Sequence, residues 1–202
     1  MGRRSDAREK LLAVAFELIW ENSYGGVSVD QICDRAKVKK GSLYYFFRTK
    51  ADVAIAACED HWKTEQPELD RLFSSQVTPL ERLSKWCDYV YQAQKDKSEK
   101  YGHVCGCPIA SIGVELANRQ EKVRIKAAEL MLRDIDYLES AIADAKREGS
   151  LSVENPNAAA QQVYSFVIGT LLQARIQNDV EVLHNLEPTV MAIIGVKTPV
   201  PA

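Results

Sequence analysis

Apolar residues recur at helical spacing along almost the whole chain, and this periodicity limits the fold more than any other feature. One stripe consists of Leu12, Ala15, Phe16 and Ile19, and another of Leu80, Leu83, Cys87 and Val90. Spacings of three and four residues place each set on one face of a helix. No segment shows sustained alternation of apolar and polar residues or an Asn-Gly hairpin signal. The pattern predicts an all-α protein with about nine helices.

Capping residues predict the helix ends in the first fifty residues. Asp6 with Glu9 is a capping pair for a first helix, and Ser28 with Gln31 forms a capping box for a second. After a tight turn, a third short helix is predicted at residues 40–47.

Proline sets several of the remaining helix ends. A fourth helix is expected to run from Lys50 and to end before Pro67, because proline lacks the amide hydrogen that a helix interior needs. Pro188 predicts a kink or a restart at Glu187 in the final helix for the same reason. The other predicted helices begin at Pro79, Pro108, Gln120, Pro156 and Glu181 and end near Lys100, Ala117, Glu148, Asn178 and Ile194.

The composition excludes several other protein classes. The chain has 202 residues, of which 46% are hydrophobic and 27% charged, which is enough for a globular core. The longest apolar run, Val190 to Val196, is far shorter than the roughly 20 residues that cross a bilayer, so no membrane association is expected. Residues 1–6 carry charge without an apolar segment behind them, so no secretory signal is expected. Five cysteines, an odd number, are expected to be reduced thiols in a cytoplasmic protein.

Charge is distributed unevenly along the chain. Residues 1–50 contain ten basic and six acidic side chains, whereas the remainder contains 16 basic and 22 acidic ones. A basic segment followed by an acidic body predicts a head that binds a polyanion. Charge alone does not identify the head, but its three predicted helices, with a tight turn between the last two, fit a helix-turn-helix. Residues 1–50 are therefore predicted to be a helix-turn-helix DNA-binding domain, and residues 51–198 a helical ligand-binding and dimerisation domain.

The third helix has two distinct faces. Leu43, Phe46 and Phe47 fall on one side and are predicted to be buried. Tyr44 and Tyr45 fall on the other side, where a solvated helix normally carries Glu or Lys. A tyrosine combines an apolar ring with a hydroxyl that can bond a phosphate, so this outward face predicts contact with nucleic acid.

The segment from Val38 to Lys50 reads Val-Lys-Lys-Gly-Ser-Leu-Tyr-Tyr-Phe-Phe-Arg-Thr-Lys and resembles the DNA-reading signature of TetR-family repressors. The stretch from Ser28 to Ala36 resembles the second helix of that family. The resemblance implies double-stranded operator DNA as a partner and a small-molecule effector as a second one. The residues that it implies at the DNA are Ser28, Lys39, Lys40, Gly41, Ser42, Tyr44, Tyr45 and Lys50.

Within that set the resemblance implies two kinds of contact. Tyr44 and Lys50 hold phosphates in this assignment. Lys40, Ser42 and Tyr45 lie closer to base edges.

Two positions depart from the family pattern. Lys37 stands in the turn where the family often has glycine, and a non-glycine residue at positive φ costs about 1 kcal/mol. Phe46 replaces a common polar aromatic, which removes one phosphate contact. Neither change breaks the signature.

The last two helices are candidates for a dimer interface. A single recognition helix reads only a few base pairs, so helix-turn-helix proteins dimerise. In TetR-like repressors the last two helices pair across the dimer, and the resemblance implies a homodimer of that kind. The helix after Pro156 is apolar on most sides and has Gly169 for close helix approach. An intramolecular core would use the same residues, so both roles stay open.

The segment from Gly102 to Pro108 contains Cys105 and Cys107. It resembles a branch of TetR-like regulators that responds to electrophiles or small unsaturated compounds through a reactive cysteine. Cys107 immediately precedes Pro108 and is predicted to be a helix N-cap, where free N–H groups and the helix dipole favour a thiolate. Arg175 stands where that branch can carry a lysine, and its guanidinium could hold a thiolate or a ligand carboxylate.

Three interpretations of these cysteines stay open. Cys105 and Cys107 could be inert beside a pocket that binds an apolar effector without covalent chemistry. Cys107 could instead be a reactive thiol, with or without Cys105 as its partner. His103, Cys105 and Cys107 could also bind a soft metal ion, although the sequence lacks the second cysteine pair typical of structural zinc. No cofactor is predicted.

The predicted effector site combines aromatic and apolar side chains with one thiol and one cation. Its residues are Trp86, Tyr89, Val90, Cys107, Ile112, Met131, Tyr137, Phe166 and Arg175. The remaining cysteines, Cys33, Cys58 and Cys87, lie on helix stripes and are predicted to be small buried apolar residues.

Two other classes of function compete with a repressor. One is a thiol-dependent helical enzyme, but the chain contains no Gly-x-Ser-x-Gly, phosphate loop or His-Glu-x-x-His motif, and its three histidines are scattered. The other is an interaction module that uses the last two helices for a different partner. The sequence favours the repressor over both.

Overall fold

The computed structural model describes residues 2–196, with side chains from Asp6 onward, and this part of the chain is all-α as predicted. Its nine α-helices are α1 Gly2–Asn22, α2 Val29–Ala36, α3 Lys40–Phe46, α4 Lys50–Leu72, α5 Pro79–Tyr101, α6 Pro108–Leu116, α7 Glu121–Arg147, α8 Pro156–Gln177 and α9 Leu186–Ile193. A 3-10 helix, Val180–Asn185, precedes α9. None of the described helices is long and apolar enough to cross a bilayer.

The chain packs into two compact units that divide it within α4 and α7. The first contains the chain through Gln66 and the segment Cys107–Leu130, and the second contains Pro67–Gly106 and the chain from Met131 onward. The predicted domains at 1–50 and 51–198 follow a functional criterion rather than compactness, and they stay a prediction. Met1 and residues 197–198 of those domains lie outside the described residues.

Each unit has its own apolar interior. In the first unit α1 packs on α2 and α3 through fully buried side chains. These include Leu11, Leu12, Ile19, Ile32 and Leu43. In the second unit the interior is made by α5, α7, α8, α9 and the 3-10 helix before α9. Its fully buried members include Leu83, Leu138, Ile142, Leu183 and Leu186. Burial of each such side chain contributes about 2 kcal/mol to folding.

One buried ion pair fastens α5 to α7 in the second unit. The Arg82 guanidinium is almost fully buried and lies 2.6 Å from the Asp144 carboxylate. Arg82 also donates to the Val77 carbonyl at 2.8 Å. The Arg82 hydrogen bond lowers the pKa of Asp144. Removing Asp144 would leave the nearly buried Arg82 guanidinium without this anionic partner, whereas Asp144 also pairs with Arg147 at 2.8 Å.

Two predicted helix ends are wrong. The first helix begins at Gly2, and Asp6 is inside it, where its carboxylate pairs with Lys10 at 2.9 Å instead of capping. The fourth helix continues through Pro67 to Leu72. Proline removes one backbone bond, at about 3 kcal/mol, but Leu69 and Leu72 beyond it are buried, and their burial offsets that loss.

The other capping predictions agree with the structure. Ser28 and Gln31 form both bonds of the predicted capping box. The chain restarts as an α-helix at Leu186, one residue before the position predicted from Pro188. Proline falls there in the first turn, where its missing N–H has no helical partner to lose.

Candidate DNA-reading surface and thiol site

The turn between α2 and α3 has the geometry that a helix-turn-helix requires. Lys37 ends α2 in the left-handed region at φ 53° and ψ 41°, so the strain expected at this non-glycine residue is present. The Lys37 N–H donates to the Asp34 carbonyl at 3.2 Å, and the Val38 N–H donates to the Cys33 carbonyl at 3.0 Å. These bonds satisfy the last carbonyls of α2 and turn the chain sharply into α3.

The two faces of α3 are arranged largely as predicted. Leu43 and Phe47 are buried, whereas the exposed fraction is 49% for Tyr44 and 68% for Tyr45. The prediction that Phe46 is buried is wrong: its side chain is half-buried, and its ring packs edge-on against the outward Tyr45 with the ring centres 5.1 Å apart. The molecule thus presents two phenol rings to solvent on a helix of seven residues.

The polar residues of α3 border these rings. Lys39, Lys40 and Gly41 are exposed, and Ser42 is half-buried. A Cβ added to Gly41 would have no neighbour within 4 Å, so this end of the helix is open to an approaching surface. Ser28 is exposed as well, although its hydroxyl accepts the Gln31 N–H at 3.1 Å.

Lys40 already has an anionic partner. Its ammonium lies 2.7 Å from the Asp30 carboxylate on α2. The hydrogen bond to Asp30 raises the pKa of Lys40, so the lysine stays charged. A DNA phosphate would compete with Asp30 for this cation.

Lys50 is directed at the protein rather than at solvent. Its ammonium donates to the Tyr24 carbonyl at 2.9 Å and to the Val27 carbonyl at 2.7 Å. It also lies 3.9 Å from the centre of the Tyr24 ring. Burial lowers the pKa of Lys50. Lys50 therefore holds the turn between α1 and α2, and its phosphate contact stays a prediction.

The loop before Cys107 is held by hydrogen bonds to the side chains of Gln94 and Asn178. The buried Gln94 side chain accepts the Gly106 N–H at 2.9 Å and donates to the Gly106 carbonyl at 3.2 Å. Val104 donates its N–H to the Asn178 side chain at 2.9 Å. Gly106 has φ +68°, and a Cβ there would lie 3.3 Å from the Arg175 side chain. The positive φ therefore favours glycine at this position, and any larger side chain would crowd Arg175.

Cys107 is the N-cap of α6, as predicted. Its sulfur accepts the Ala110 N–H at 3.4 Å, and Pro108 follows at the first helical position. The side chain is half-buried. All five cysteines are present as thiols, and the other four are buried. The predicted burial of Cys33, Cys58 and Cys87 is thus confirmed.

The predicted effector residues are distributed over both compact units. Cys107 and Ile112 belong to the first unit. The remaining ones belong to the second, and these are Trp86, Tyr89, Val90, Met131, Tyr137, Phe166 and Arg175. Trp86 and Ile112 are buried, and Tyr137 lies against Phe73 and donates to Asp70. The effector site as a whole stays a prediction.

A surface groove of about 540 Å³ occupies the first unit along α1, α4 and α7. Ion pairs of Lys122 with Asp52 and of Lys126 with Glu59 lie along it. None of the predicted effector residues lines this groove. Ile112 instead lines a narrow apolar crevice in the same unit.

The described residues form no site for the soft metal ion that the sequence left open. Within residues 2–196 no three His, Cys, Asp or Glu side chains converge as metal ligands. The His103 ring is directed at the Tyr101 carbonyl at 3.1 Å, and the Cys105 thiol donates to the His103 carbonyl at 3.6 Å.

The unusual environment of Asp134 on α7 was not predicted from the sequence. The Tyr164 hydroxyl donates to its carboxylate at 3.4 Å, and burial raises the pKa of Asp134 to about 7. A signal existed in the sequence. Asp134 occupies the same helical stripe as the buried Leu130 and Leu138, four residues to either side. A carboxyl group in an apolar stripe predicts an unusual environment.

The capped α2, the sharp turn and the outward tyrosines of α3 define a helix-turn-helix DNA-binding regulator. A family model described as "Bacterial regulatory proteins, tetR family" matches residues 11–57, and one described as "Tetracyclin repressor-like, C-terminal domain" matches residues 79–190. The chain belongs to the TetR family of transcriptional repressors. The family match therefore supports a transcriptional regulator over the thiol-dependent enzyme that was considered from the sequence.

Individual relatives match over nearly the full length. An uncharacterized HTH-type transcriptional regulator of Lactococcus lactis is 29% identical over 182 residues, 89% of each chain. The HTH-type transcriptional repressor NemR of Escherichia coli is 27% identical over 192 residues, 94% of each chain. The crystal structure of NemR in its reduced form superimposes with a TM-score of 0.80 over 96% of this chain and 100% of NemR.

Proposed function

We propose that this repressor binds a palindromic operator as a homodimer in the cytoplasm and that a thiol-reactive small molecule releases it. The observation that carries the DNA-binding part is the exposure of Tyr45 on α3. A recognition helix of seven residues reaches only a few base pairs. Useful affinity therefore requires two recognition helices, one from each protomer, about 34 Å apart, which is one turn of DNA.

An exposed apolar face on α8 supports the homodimer. Leu172 is 58% exposed and Ile176 75% exposed, and both lie on one side of the helix with the exposed Gly169. Glycine lets a second helix approach closely, and the two large apolar side chains would be covered by it. The last two helices of each protomer are therefore the proposed interface.

Cys107 supports the thiol-reactive part of the proposal. Its sulfur accepts an N–H group at the start of α6, a position that stabilises a thiolate, and the side chain is partly accessible. The loop before it is held by Gln94 and Asn178. The similar NemR has a form described as reduced. An electrophile that alkylates Cys107 would add bulk where α6 begins.

Tyr45→Ala tests the DNA-reading assignment. DNA sites selected from a random duplex library by the native protein serve as the probe, and fluorescence anisotropy measures affinity. We expect at least a roughly 100-fold loss, while light scattering shows an unchanged dimer mass. Tyr45→Phe keeps the ring and should retain part of the affinity. Full affinity in Tyr45→Ala would refute the assignment.

Cys107→Ser tests the effector assignment. The native protein is expected to release its selected DNA after treatment with N-ethylmaleimide, and Cys107→Ser is expected to stay bound. Cys105→Ser is the matched control, because Cys105 is buried and should leave the response intact. Release of Cys107→Ser by the same reagent would refute a role for this thiol.

A further inference from the structure

The groove of the first unit follows one face of α4. The residues of α4 that line it are Asp52, Ile55, Ala56, Glu59, Asp60 and Lys63. These positions recur at intervals of three and four residues, so they share one side of the helix over about 16 Å of its length. Arg8 of α1 and the first turns of α7 complete the lining. The volume of about 540 Å³ is in the range of sites that bind small molecules.

Three apolar side chains line the groove between the charged ones. They are Ile55 and Ala56 of α4 and Ile125 of α7. Ile55 and Ala56 are half-buried, whereas Ile125 is 51% exposed. Covering these side chains would remove apolar surface from water, which is favourable. This part of the groove therefore suits a hydrocarbon chain.

Two of the four cations in the groove are neutralised by acids of α4. The Lys122 ammonium pairs with the Asp52 carboxylate, and the Lys126 ammonium lies 3.5 Å from the Glu59 carboxylate. Lys126 also lies 2.7 Å from the carboxylate of Glu129. These two lysines have anionic partners without a ligand.

The other charged side chains of the groove are Arg8, Lys63 and Asp60. Among the described residues, none of the three belongs to an ion pair. Asp60 and Lys63 stand three residues apart on one helix face, so their charges offset each other. The Arg8 guanidinium is exposed and lies 5.7 Å from the centre of the Phe47 ring. The groove therefore has one cation in excess, and Arg8 is the one that an anion can reach.

We infer that the groove binds an anionic amphiphile, a carboxylate with a medium-length hydrocarbon chain. The planar guanidinium of Arg8 donates two parallel N–H bonds to the carboxylate, and the chain covers Ile55, Ala56 and Ile125. The inference goes beyond the proposed function, because the groove contains no thiol and none of the predicted effector residues. It assigns a second ligand site to the first unit.

Calorimetric titration of the full-length protein with decanoate tests the site. Decanoate, kept below its micelle concentration, is expected to bind with a submillimolar Kd. Acetate has the same head without the chain, and decyltrimethylammonium has a similar chain with a cationic head. Both are expected to bind at least about 10-fold more weakly than decanoate. Failure of decanoate to bind, or equal binding of either comparison compound, would overturn the inference.

Arg8→Met tests the partner of the carboxylate. We expect this variant to bind decanoate about 10-fold more weakly and to leave the binding of decyltrimethylammonium unchanged. Lys10→Met removes a cation from the same helix outside the groove, and this control should keep the native affinity. Native decanoate affinity in Arg8→Met, or an equal loss in both variants, would contradict the assignment.

Ile125→Asn tests the apolar part of the groove. Ile125 is exposed, so the variant should fold, and we expect about a 5-fold loss of decanoate affinity. Leu132→Asn is the matched control, because Leu132 is 53% exposed on the same helix and lies outside the groove. An equal effect of the two changes would place the chain elsewhere and overturn the inference.

Asp60→Asn tests the sign of the ligand charge. It removes a carboxylate that repels the ligand, so we expect about a 2- to 5-fold gain in decanoate affinity. A loss of affinity would show that the groove does not select an anion. All these titrations are made without DNA and without a thiol reagent, so their outcome is separate from release of DNA by N-ethylmaleimide.

Discussion

The Asp30 carboxylate on α2 holds the Lys40 ammonium of α3 at 2.7 Å. A DNA phosphate and Asp30 therefore compete for the same cation at the proposed DNA-reading surface. The ion pair is exposed on both sides, so it contributes little to folding. The ion pair instead affects DNA binding. Asp30 must release Lys40 before a phosphate can bind it, and the Asp30 carboxylate repels the negatively charged duplex.

Asp30→Asn should strengthen DNA binding. The change frees Lys40 and removes one negative charge, so we expect about a 3- to 10-fold gain in affinity. The slope of log affinity against log salt concentration should become steeper by about one. Anisotropy titrations at several salt concentrations measure both. Asp34→Asn removes an exposed charge from the same helix without the Lys40 bond, and it is the control. An equal gain in both variants would mean that net charge alone acts.

Lys50→Met should destabilise the first unit. Two carbonyl groups, of Tyr24 and Val27, would lose a charged donor, at a cost of about 1–3 kcal/mol in the free energy of unfolding. Urea denaturation measures the loss. Lys39→Met removes the same charge from an exposed side chain and should leave stability within about 0.5 kcal/mol. If Lys50→Met matches that control but loses DNA binding, Lys50 acts on phosphate alone.

The local features of the head could be predicted from the sequence because they depend on neighbouring residues. The Ser28 capping box, the positive φ of Lys37 and the outward tyrosines each arise within one helix or one turn. The same holds for Cys107 as the N-cap of α6, since proline follows it directly.

The features that depend on distant contacts could not be predicted. Lys50 donates to carbonyl groups more than twenty residues away in the chain. The sequence around Lys50 indicates only that the side chain is charged. Pro67 continues a helix because side chains beyond it are buried, which no local rule records. Cys58 has the spacing of an ordinary apolar stripe, and only the fold places it against α6.

Leu172→Glu combined with Ile176→Glu should convert the protein to a monomer. Charges at the proposed α8 interface would face each other across the two-fold axis without partners, so dimer dissociation should increase at least about 100-fold. Sedimentation velocity measures the mass, and operator affinity should fall with it. Val114→Glu is the matched control, because Val114 is 84% exposed on α6. A double variant that remains dimeric would place the interface elsewhere.

Asp134 should contribute stability that is lost as pH rises from about 4 to about 7. Burial raises the pKa of its carboxyl group to about 7 in the folded state, whereas the ordinary value is 3.8. Between these values the folded protein holds a proton that the unfolded chain has lost, so each rise in pH favours unfolding, by a few kcal/mol at most across the window. Asp134→Asn should abolish this dependence and keep an amide partner for Tyr164. Urea denaturation at pH 5 and pH 8 measures the difference, with Asp136→Asn, an exposed residue of the same helix, as the control that keeps the native slope. An unchanged slope in Asp134→Asn would assign the pH dependence to other groups.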